Sequence, residues 1–220
     1  MIDSSADLLL RLHELKLMND DRFPHWWRHY GTWWILPEAI LTQQTQWAKV
    51  EQSVANLVHL GYDTPEKLSK AEQWKVAQAI TPAGFYNQKT NRILALIKGM
   101  FDRFGDFETF ADQVDREWLL SHKGVGFESA DAILCYGCKR PVMVVDAYTQ
   151  RLLSALGYEM EDYHDIQGWL IGGIENEFDR IESTLSLSLE LTYAYFHGLI
   201  VEYCKRYSAR SGMEIAALRA

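Results

Sequence analysis

The sequence is poor in cysteine and proline and has no apolar run long enough to cross a membrane. Its 220 residues include three cysteines and five prolines. So few cysteines, in an odd number, exclude a disulfide framework and suit a reducing compartment. A bilayer-spanning helix needs about 18 apolar residues or more, and the stretch "MIDSSADLLLRLHELKL" has no signal-peptide pattern. We therefore expect a cytoplasmic protein without a membrane partner.

Alternating polar and apolar residues, the pattern of half-buried strands, are also scarce. Apolar residues recur instead at helical spacing, as at Val50, Val54, Leu57 and Val58. The sequence predicts an all-α protein, in which the run "PVMVVD" (141–146) is the one strand-like segment. With 48% hydrophobic residues, the chain can form one substantial core or two lobes.

The composition gives little support for a metal site or for a nucleic-acid partner. Cys135 and Cys138 have the spacing of half a zinc site, but the sequence has no second pair of cysteines at this spacing. The simpler interpretation is that both are small residues on a buried helix. The net charge of −8 argues against a nucleic-acid partner, because phosphate binding is driven by Lys and Arg. The acidic residues gather in segments such as "GYEMEDYHD" and "IENEFDRIE", so a local basic face remains open.

The segment "HKGVG" forms a tight turn between two helical segments, "DREWLLS" and "ESADAILCYGC". A dinucleotide-binding turn is excluded, since that motif follows a strand. Gly124 and Gly126 permit positive φ and leave amide groups uncovered where the next helix begins. Such a turn can bind one phosphate. By itself it is equally compatible with glycines that only end one helix and start another.

An aspartate begins the helix that follows the strand-like run. In "VVDAYTQRLLSAL", Asp146 can accept the first amide protons of that helix, which lowers the pKa of its carboxyl and keeps it ionised. Taken alone, Asp146 is more simply interpreted as an ordinary N-cap.

This order of features resembles the helix-hairpin-helix and Gly/Pro-Asp motif of the endonuclease III superfamily of DNA glycosylases: a glycine turn, a helix, an extended run and then an aspartate. The segments "LTQQT" (41–45) and "GFYNQK" (84–89) resemble two further motifs of this family, in the same order. The resemblance therefore covers most of the chain.

This resemblance implies a two-lobed helical fold. A six-helix barrel lobe is expected at 33–145, with the helix-hairpin-helix motif at about 115–138. A second helical lobe is expected from 1–32 together with 146–220, and the active-site cleft is expected between the lobes.

Two departures from the family pattern carry chemical information. Bifunctional members have a lysine nucleophile where this chain has Glu128, 18 residues before Asp146, and a carboxylate cannot form an imine. Many relatives end in four cysteines that bind an iron–sulfur cluster, whereas this chain offers only Cys204 there. We expect neither AP lyase activity nor a cluster, and Glu202 and Lys205 become candidates for holding the last helix.

Within the superfamily, "ESADAILCYGC" and "VMVVD" resemble the short, cluster-free 3-methyladenine DNA glycosylases. That likeness implies a monofunctional enzyme of base excision repair, acting as a monomer on double-stranded DNA that contains alkylated bases. A cationic base binds well between aromatic faces. The residues placed in the base pocket are Trp26, Trp27, Trp47 and Glu128. For the three tryptophans, core packing is an equal alternative.

The resemblance also assigns roles to individual residues. Asp146 would stabilise the oxocarbenium-like sugar and activate water, while Gln43 fills the gap in the stack and Phe85 wedges into the opposite strand. The residues expected to bind a phosphate 3′ to the lesion are Lys123, Gly124, Val125 and Gly126. A bridging Na⁺ or K⁺ ion is expected at the same backbone, and Lys89 and Arg92 are further candidate phosphate contacts.

Three alternatives remain open at this stage. The chain could be a glycosylase of the same fold for another lesion, a noncatalytic helix-hairpin-helix DNA-binding protein, or an all-α protein-interaction domain. The sequence leaves undecided the range of lesions, the preferred opposing base and the role of Glu128.

Overall fold

The computed structural model describes residues 2–18, 25–209 and 212–219. It divides into two compact units, one formed by Gly31–Cys138 and the other by Met1–Tyr30 with Lys139–Ala220. The parts of the expected second lobe at 1, 19–24, 210–211 and 220 lie outside the described residues.

The unit Gly31–Cys138 is entirely helical in its regular structure. Its α-helices are α2 (Ile35–Leu41), α3 (Trp47–His59), α4 (Pro65–Ser69), α5 (Gln73–Ala79), α6 (Tyr86–Phe104), α7 (Phe107–Gln113), α8 (Arg116–Leu120) and α9 (Phe127–Ala132). A 3₁₀ turn at Thr81–Ala83 precedes α6, and α9 widens into a π-helix at Ile133–Gly137.

The core of this unit is built on α6 and α2, which pack together. Helix α6 buries a stripe that includes Ile93, Ile97 and Met100, at the three- to four-residue spacing of one helical face. Helix α2 is buried on all sides because it lies at the centre of the unit. The short helices α7, which packs on α6, and α8, which packs on α9, begin at polar N-caps. The Asp106 and Asp115 side chains accept the first backbone N–H groups of these two helices.

The other unit begins with α1 (Ser5–Glu14), which precedes α2 in the chain, and continues after residue 138. Its remaining elements are α10 (Ala147–Leu156), α11 (Tyr163–Asn176), α12 (Phe178–Leu185), α13 (Leu189–Tyr207), β1 (Ser208–Ala209), β2 (Gly212–Met213) and α14 (Ala216–Arg219). The two strands pair antiparallel, with Ser208 opposite Met213.

Helix α13 is the central helix of this unit and is buried along most of its 19 residues. Its residue Phe196 joins Leu12 of α1 and Leu170 of α11 in one apolar cluster. Polar contacts fix the start of α1: the Ser4 side chain caps the helix, and the Ser5 hydroxyl donates to the Leu170 carbonyl at 2.7 Å. This core therefore forms mainly from helices that lie at both ends of the chain.

The all-α prediction is confirmed. The run 141–146 is extended, yet it forms no strand, and the short β1–β2 pair near the end of the chain was not predicted. The predicted helix-hairpin-helix corresponds to α8, a turn, and α9 with its π-helical extension. None of the helices in the described ranges combines the length and apolar character needed to span a membrane.

Candidate functional site

Asp146 is the N-cap of α10, and its two carboxylate oxygens have different surroundings. Oδ1 accepts hydrogen bonds from the Thr149 backbone N–H at 2.8 Å and from the Thr149 hydroxyl at 2.9 Å. Oδ2 lies 3.5 Å from Nε2 of His197 on α13. Only 12% of the Asp146 side chain is exposed. Oδ1 thus caps α10, and Oδ2 faces the buried imidazole of His197.

This environment keeps the carboxyl ionised. Burial by itself raises the pKa of Asp146, but the hydrogen bond and charge of His197 and the two bonds from Thr149 outweigh it, so the pKa lies below its usual value of 3.8. An ionised carboxylate shielded from bulk water can stabilise a developing positive charge or accept a proton from water.

The extended run before Asp146 is held in place by two side chains of α11. Gln167 Nε2 donates to the Met143 carbonyl at 2.7 Å, and the Val145 N–H donates to the Tyr163 hydroxyl at 3.4 Å. Met143, Val144 and Val145 are buried. These contacts replace the bonds of a sheet, which explains how the strand-like sequence stays extended without a partner strand.

Trp26 lies directly behind His197. The two rings meet edge to face with centroids 5.5 Å apart, and the Trp26 indole N–H donates to Glu202 Oε1 at 3.0 Å. Glu202 also pairs with Lys205 at 3.1 Å, and the Lys205 ammonium lies 5.4 Å from the Trp26 ring centroid. Glu202 and Lys205, expected to hold the last helix, therefore hold Trp26. Contact with a base by Trp26 stays a prediction.

The other two predicted pocket tryptophans differ in exposure. Trp27 is buried and meets Trp26 edge to face at 5.9 Å. Trp47 is partly exposed at the first position of α3, in the unit that does not contain Asp146. Burial leaves Trp27 little open ring face for a ligand, so packing explains it better. The pocket role of Trp47 stays a prediction.

The Gly-Val-Gly turn has one glycine with positive φ and one glycine with extended backbone. The Val125 N–H donates to the His122 carbonyl at 3.0 Å, closing a turn in which Gly124 has φ +88°. Positive φ at the third turn position favours glycine. Gly126 has φ −96° and is the N-cap of α9. The predicted phosphate site used the backbone amides of Gly124, Val125 and Gly126. Because the Val125 amide already donates within the turn, only the Gly124 and Gly126 amides are retained as candidate phosphate donors.

Gln43 ties the loop after α2 to this turn. Its Nε2 donates to the Gly124 carbonyl at 2.9 Å and to the Ser129 hydroxyl at 3.0 Å, and its Oε1 accepts from Arg92 Nη1 at 3.0 Å. For Gln43 to fill a gap in the base stack, all three bonds must break. The neighbouring Gln44 is exposed, with φ +52°.

An ion pair between a partly exposed arginine and a buried aspartate joins the two helices of the hairpin. Arg116 on α8 makes a two-pronged contact with the fully buried Asp131 on α9, with N···O distances of 2.7 and 2.8 Å. The Arg116 guanidinium also lies 4.8 Å from the ring centroid of Phe127, the first residue of α9. This pair sets the position of the turn between the helices.

The remaining predicted DNA contacts fall into two groups. Lys123, Glu128 and Phe85 are exposed, and Phe85 has φ +45°. Lys89 is not a surface phosphate contact: its side chain is buried and its ammonium binds four protein oxygens. The expectation for Lys89 was wrong, because Lys89 lies four residues before Ile93 and therefore on the buried face of α6.

Sequence reasoning missed His197 and Gln44. His197 is a single histidine within the apolar helix α13, where nothing in the sequence separates it from an ordinary core residue. Gln44 stands beside Gln43, and only their backbone conformations distinguish them. Thr149 could have been found, since a hydroxyl three residues after an N-cap aspartate is a local pattern.

Comparison with known proteins gives the family. The model of the HhH-GPD superfamily of base excision DNA repair proteins matches residues 38–167. A protein of Methanocaldococcus jannaschii named as a DNA repair glycosylase is 32% identical, over 97% of this chain and 94% of the relative. The chain therefore belongs to the HhH-GPD superfamily and is a DNA glycosylase of base excision repair, with DNA as its partner.

Solved structures agree with this assignment. The H. pylori 3-methyladenine DNA glycosylase bound to 1,N6-ethenoadenine matches with a TM-score of 0.89 and 37% identity, over 92% of this chain and 98% of that one. A non-covalent endonuclease III–DNA complex shares the fold, with a TM-score of 0.73 and 17% identity over 96% and 91% of the two chains.

Proposed function

We propose that this glycosylase is monofunctional and excises alkylated bases, 3-methyladenine first among them, acting as a monomer on duplex DNA. The observation that carries the proposal is the ionised, nearly buried Asp146, whose Oδ1 is fixed by Thr149 while Oδ2 faces His197. A carboxylate in this state suits the stabilisation of an oxocarbenium-like sugar and the activation of water.

Glu128 supports the monofunctional assignment. It lies exposed in the first turn of α9, where bifunctional relatives are expected to carry the lysine nucleophile. A carboxylate has no amine with which to form an imine, so release of the base leaves the DNA strand intact.

The choice of 3-methyladenine draws on the similarity to the H. pylori 3-methyladenine glycosylase. A base alkylated at N3 carries a positive charge, so its glycosidic bond is already weakened and needs little acid catalysis. Aromatic residues favour a cationic ring. Because that relative was solved with 1,N6-ethenoadenine, this base is the second substrate to test.

DNA would be held at the hairpin while the damaged nucleotide leaves the stack. The amides of Gly124 and Gly126 are the proposed phosphate donors, with the exposed Lys123 beside them. We propose no iron–sulfur cluster and no cofactor other than a Na⁺ or K⁺ ion. The hairpin fits such an ion, because the His122 and Gly124 carbonyls each accept one hydrogen bond and retain a second lone pair. When bound, the ion would supply positive charge next to the phosphate.

The test compares wild type with Asp146→Asn on duplex DNA containing 3-methyladenine, 7-methylguanine or 1,N6-ethenoadenine. Asparagine caps a helix as well as aspartate does, so the fold should be retained. We expect base release to fall at least about 100-fold, with DNA affinity within about twofold of wild type. Asp162→Asn is the matched control, since Asp162 is the exposed N-cap of α11.

Released bases are separated by chromatography and strands are sized before and after alkali. Release of 3-methyladenine with intact strands supports the proposal. Strand cleavage without alkali contradicts the monofunctional assignment, and full activity of Asp146→Asn contradicts the role of Asp146.

A further inference from the structure

Lys89 is a buried lysine whose ammonium is surrounded by protein oxygens. Its Nζ lies 2.8 Å from the Leu41 and Gln43 carbonyls, 2.6 Å from the Thr45 hydroxyl and 3.0 Å from the Ala83 carbonyl. Only 2% of the residue is exposed. Burying a charged amine is costly unless hydrogen bonds compensate, and this amine shares its three donors among four acceptors. Burial lowers the pKa of Lys89 to about 8, which leaves it mostly protonated at neutral pH.

The oxygens around Lys89 come from two separate segments of the chain. One is the loop 41–45 between α2 and α3, and the other is the segment 81–85, which contains the 3₁₀ turn and ends directly before α6. The Thr45 hydroxyl also donates to the Ala83 carbonyl at 2.7 Å, so the two segments contact each other directly. Lys89 therefore closes a junction between segments that lie almost 40 residues apart in sequence.

Each segment carries one exposed side chain on a strained backbone. Gln44, with φ +52°, lies between two residues whose oxygens bind the Lys89 ammonium. Phe85, with φ +45° and 66% of its surface exposed, accepts the Lys89 backbone N–H at its carbonyl, at 3.0 Å. Positive φ at a non-glycine residue is unfavourable and persists only where the surroundings enforce it.

Both exposed side chains suit contact with stacked bases. A planar amide and an aromatic ring can each occupy space that opens when a nucleotide leaves the duplex. The two side chains can enter the base stack together only if the distance between them is fixed, because the spacing of stacked bases is fixed. If the loop that carries Gln44 moved freely, this distance would vary.

From this arrangement we propose that Lys89 is a positioning residue, which holds Gln44 and Phe85 as a paired wedge for the base stack around a flipped nucleotide. The inference rests on the proposed function and deepens it. Lys89 acts through the two wedge residues and does not itself contact DNA.

The test is a mutant cycle on Lys89→Met in two backgrounds, wild type and the double variant Gln44→Ala/Phe85→Ala. The probe is a duplex that carries a stable abasic-site analogue with 2-aminopurine opposite, whose fluorescence rises when the base unstacks. This readout needs no catalysis. Lys98→Met is the matched control, since Lys98 is an exposed lysine on the same helix.

We expect Lys89→Met to lower the equilibrium constant for unstacking about tenfold in the wild-type background and less than about twofold in the wedge-deficient background, since coupled residues are not additive. Lys98→Met should change neither. Equal loss in both backgrounds would mean that Lys89 only stabilises the fold, and this overturns the proposal. Absence of unstacking by wild type overturns it as well.

A second variant covers the case in which Lys89→Met does not fold. Thr45→Val removes one acceptor of Lys89 and the bond to Ala83 while keeping the shape of the side chain. Thr45→Val should lower the equilibrium constant for unstacking in the wild-type background more than in the wedge-deficient background, by a smaller factor than Lys89→Met does. Equal losses in the two backgrounds would count against the proposal. If wild type unstacks the duplex but releases no alkylated base, the proposed substrate is wrong while the wedge stands.

Discussion

The two glycines of the hairpin turn should respond to the same substitution with very different losses of stability. Gly124→Ala places a Cβ atom 2.2 Å from Arg92 Nε and 2.4 Å from Arg92 Cδ, on a backbone with φ +88°. Gly126→Ala places its Cβ in open space, with nothing within 4 Å, on a backbone with φ −96°. The substitutions lie two residues apart and are chemically identical, so each serves as the control for the other.

The magnitude follows from two costs at Gly124. An L-residue in the left-handed region costs about 1–2 kcal/mol. Arg92 must also move, which breaks its 3.0 Å hydrogen bond to Gln43 and removes about another 1–2 kcal/mol. We expect Gly124→Ala to lower the free energy of unfolding by about 2–4 kcal/mol, or the Tm by roughly 5–15 °C for a chain of this length. Gly126→Ala should change the free energy of unfolding by less than about 1 kcal/mol, because the gain from restricting the unfolded chain is offset by placing alanine at the N-cap of α9.

Thermal unfolding followed by circular dichroism measures both effects, and fluorescence anisotropy on an abasic-analogue duplex measures DNA affinity. Gly124→Ala should weaken DNA binding as well, since the displaced Arg92 and Gln43 adjoin the proposed phosphate site. Equal Tm values for the two variants, or a larger loss for Gly126→Ala, would refute the reasoning.

Three further predictions test other contacts. Arg116→Met removes the two-pronged contact to the buried Asp131 and should lower the free energy of unfolding in urea by about 1.5–3 kcal/mol, since the Arg116 side chain is 30% exposed; a loss below about 1 kcal/mol would contradict the importance of the pair. Gly198→Ala puts a Cβ 2.4 Å from Trp26 Cγ and should cost about 1–3 kcal/mol and change tryptophan fluorescence; an unchanged spectrum would contradict the contact. Because the folded-state pKa of Asp146 is below 3.8, ionised Asp146 contributes stability above that pH and loses it as the pH falls further. The stability difference between wild type and Asp146→Asn should therefore narrow below about pH 4, and a constant difference down to pH 2 would contradict the lowered pKa.

Local sequence patterns predicted the helical fold and the hairpin. Periodic apolar residues such as those of α6 identify a buried face within a few turns, and Asp146 was recognisable as an N-cap from its place before a helical segment. Both features depend on neighbours within about four residues, so one short window of sequence contains them.

The sequence by itself determined which segments are helical, where the glycine turn lies, and that Glu128 replaces a lysine. Only the tertiary structure decided that Gly124 lies against Arg92, that the Lys89 ammonium binds the loop 41–45, and that His197 faces Asp146. The physical reason is that caps and turns are set by neighbouring residues. Burial and charge pairing, in contrast, depend on side chains that packing brings together from distant parts of the chain.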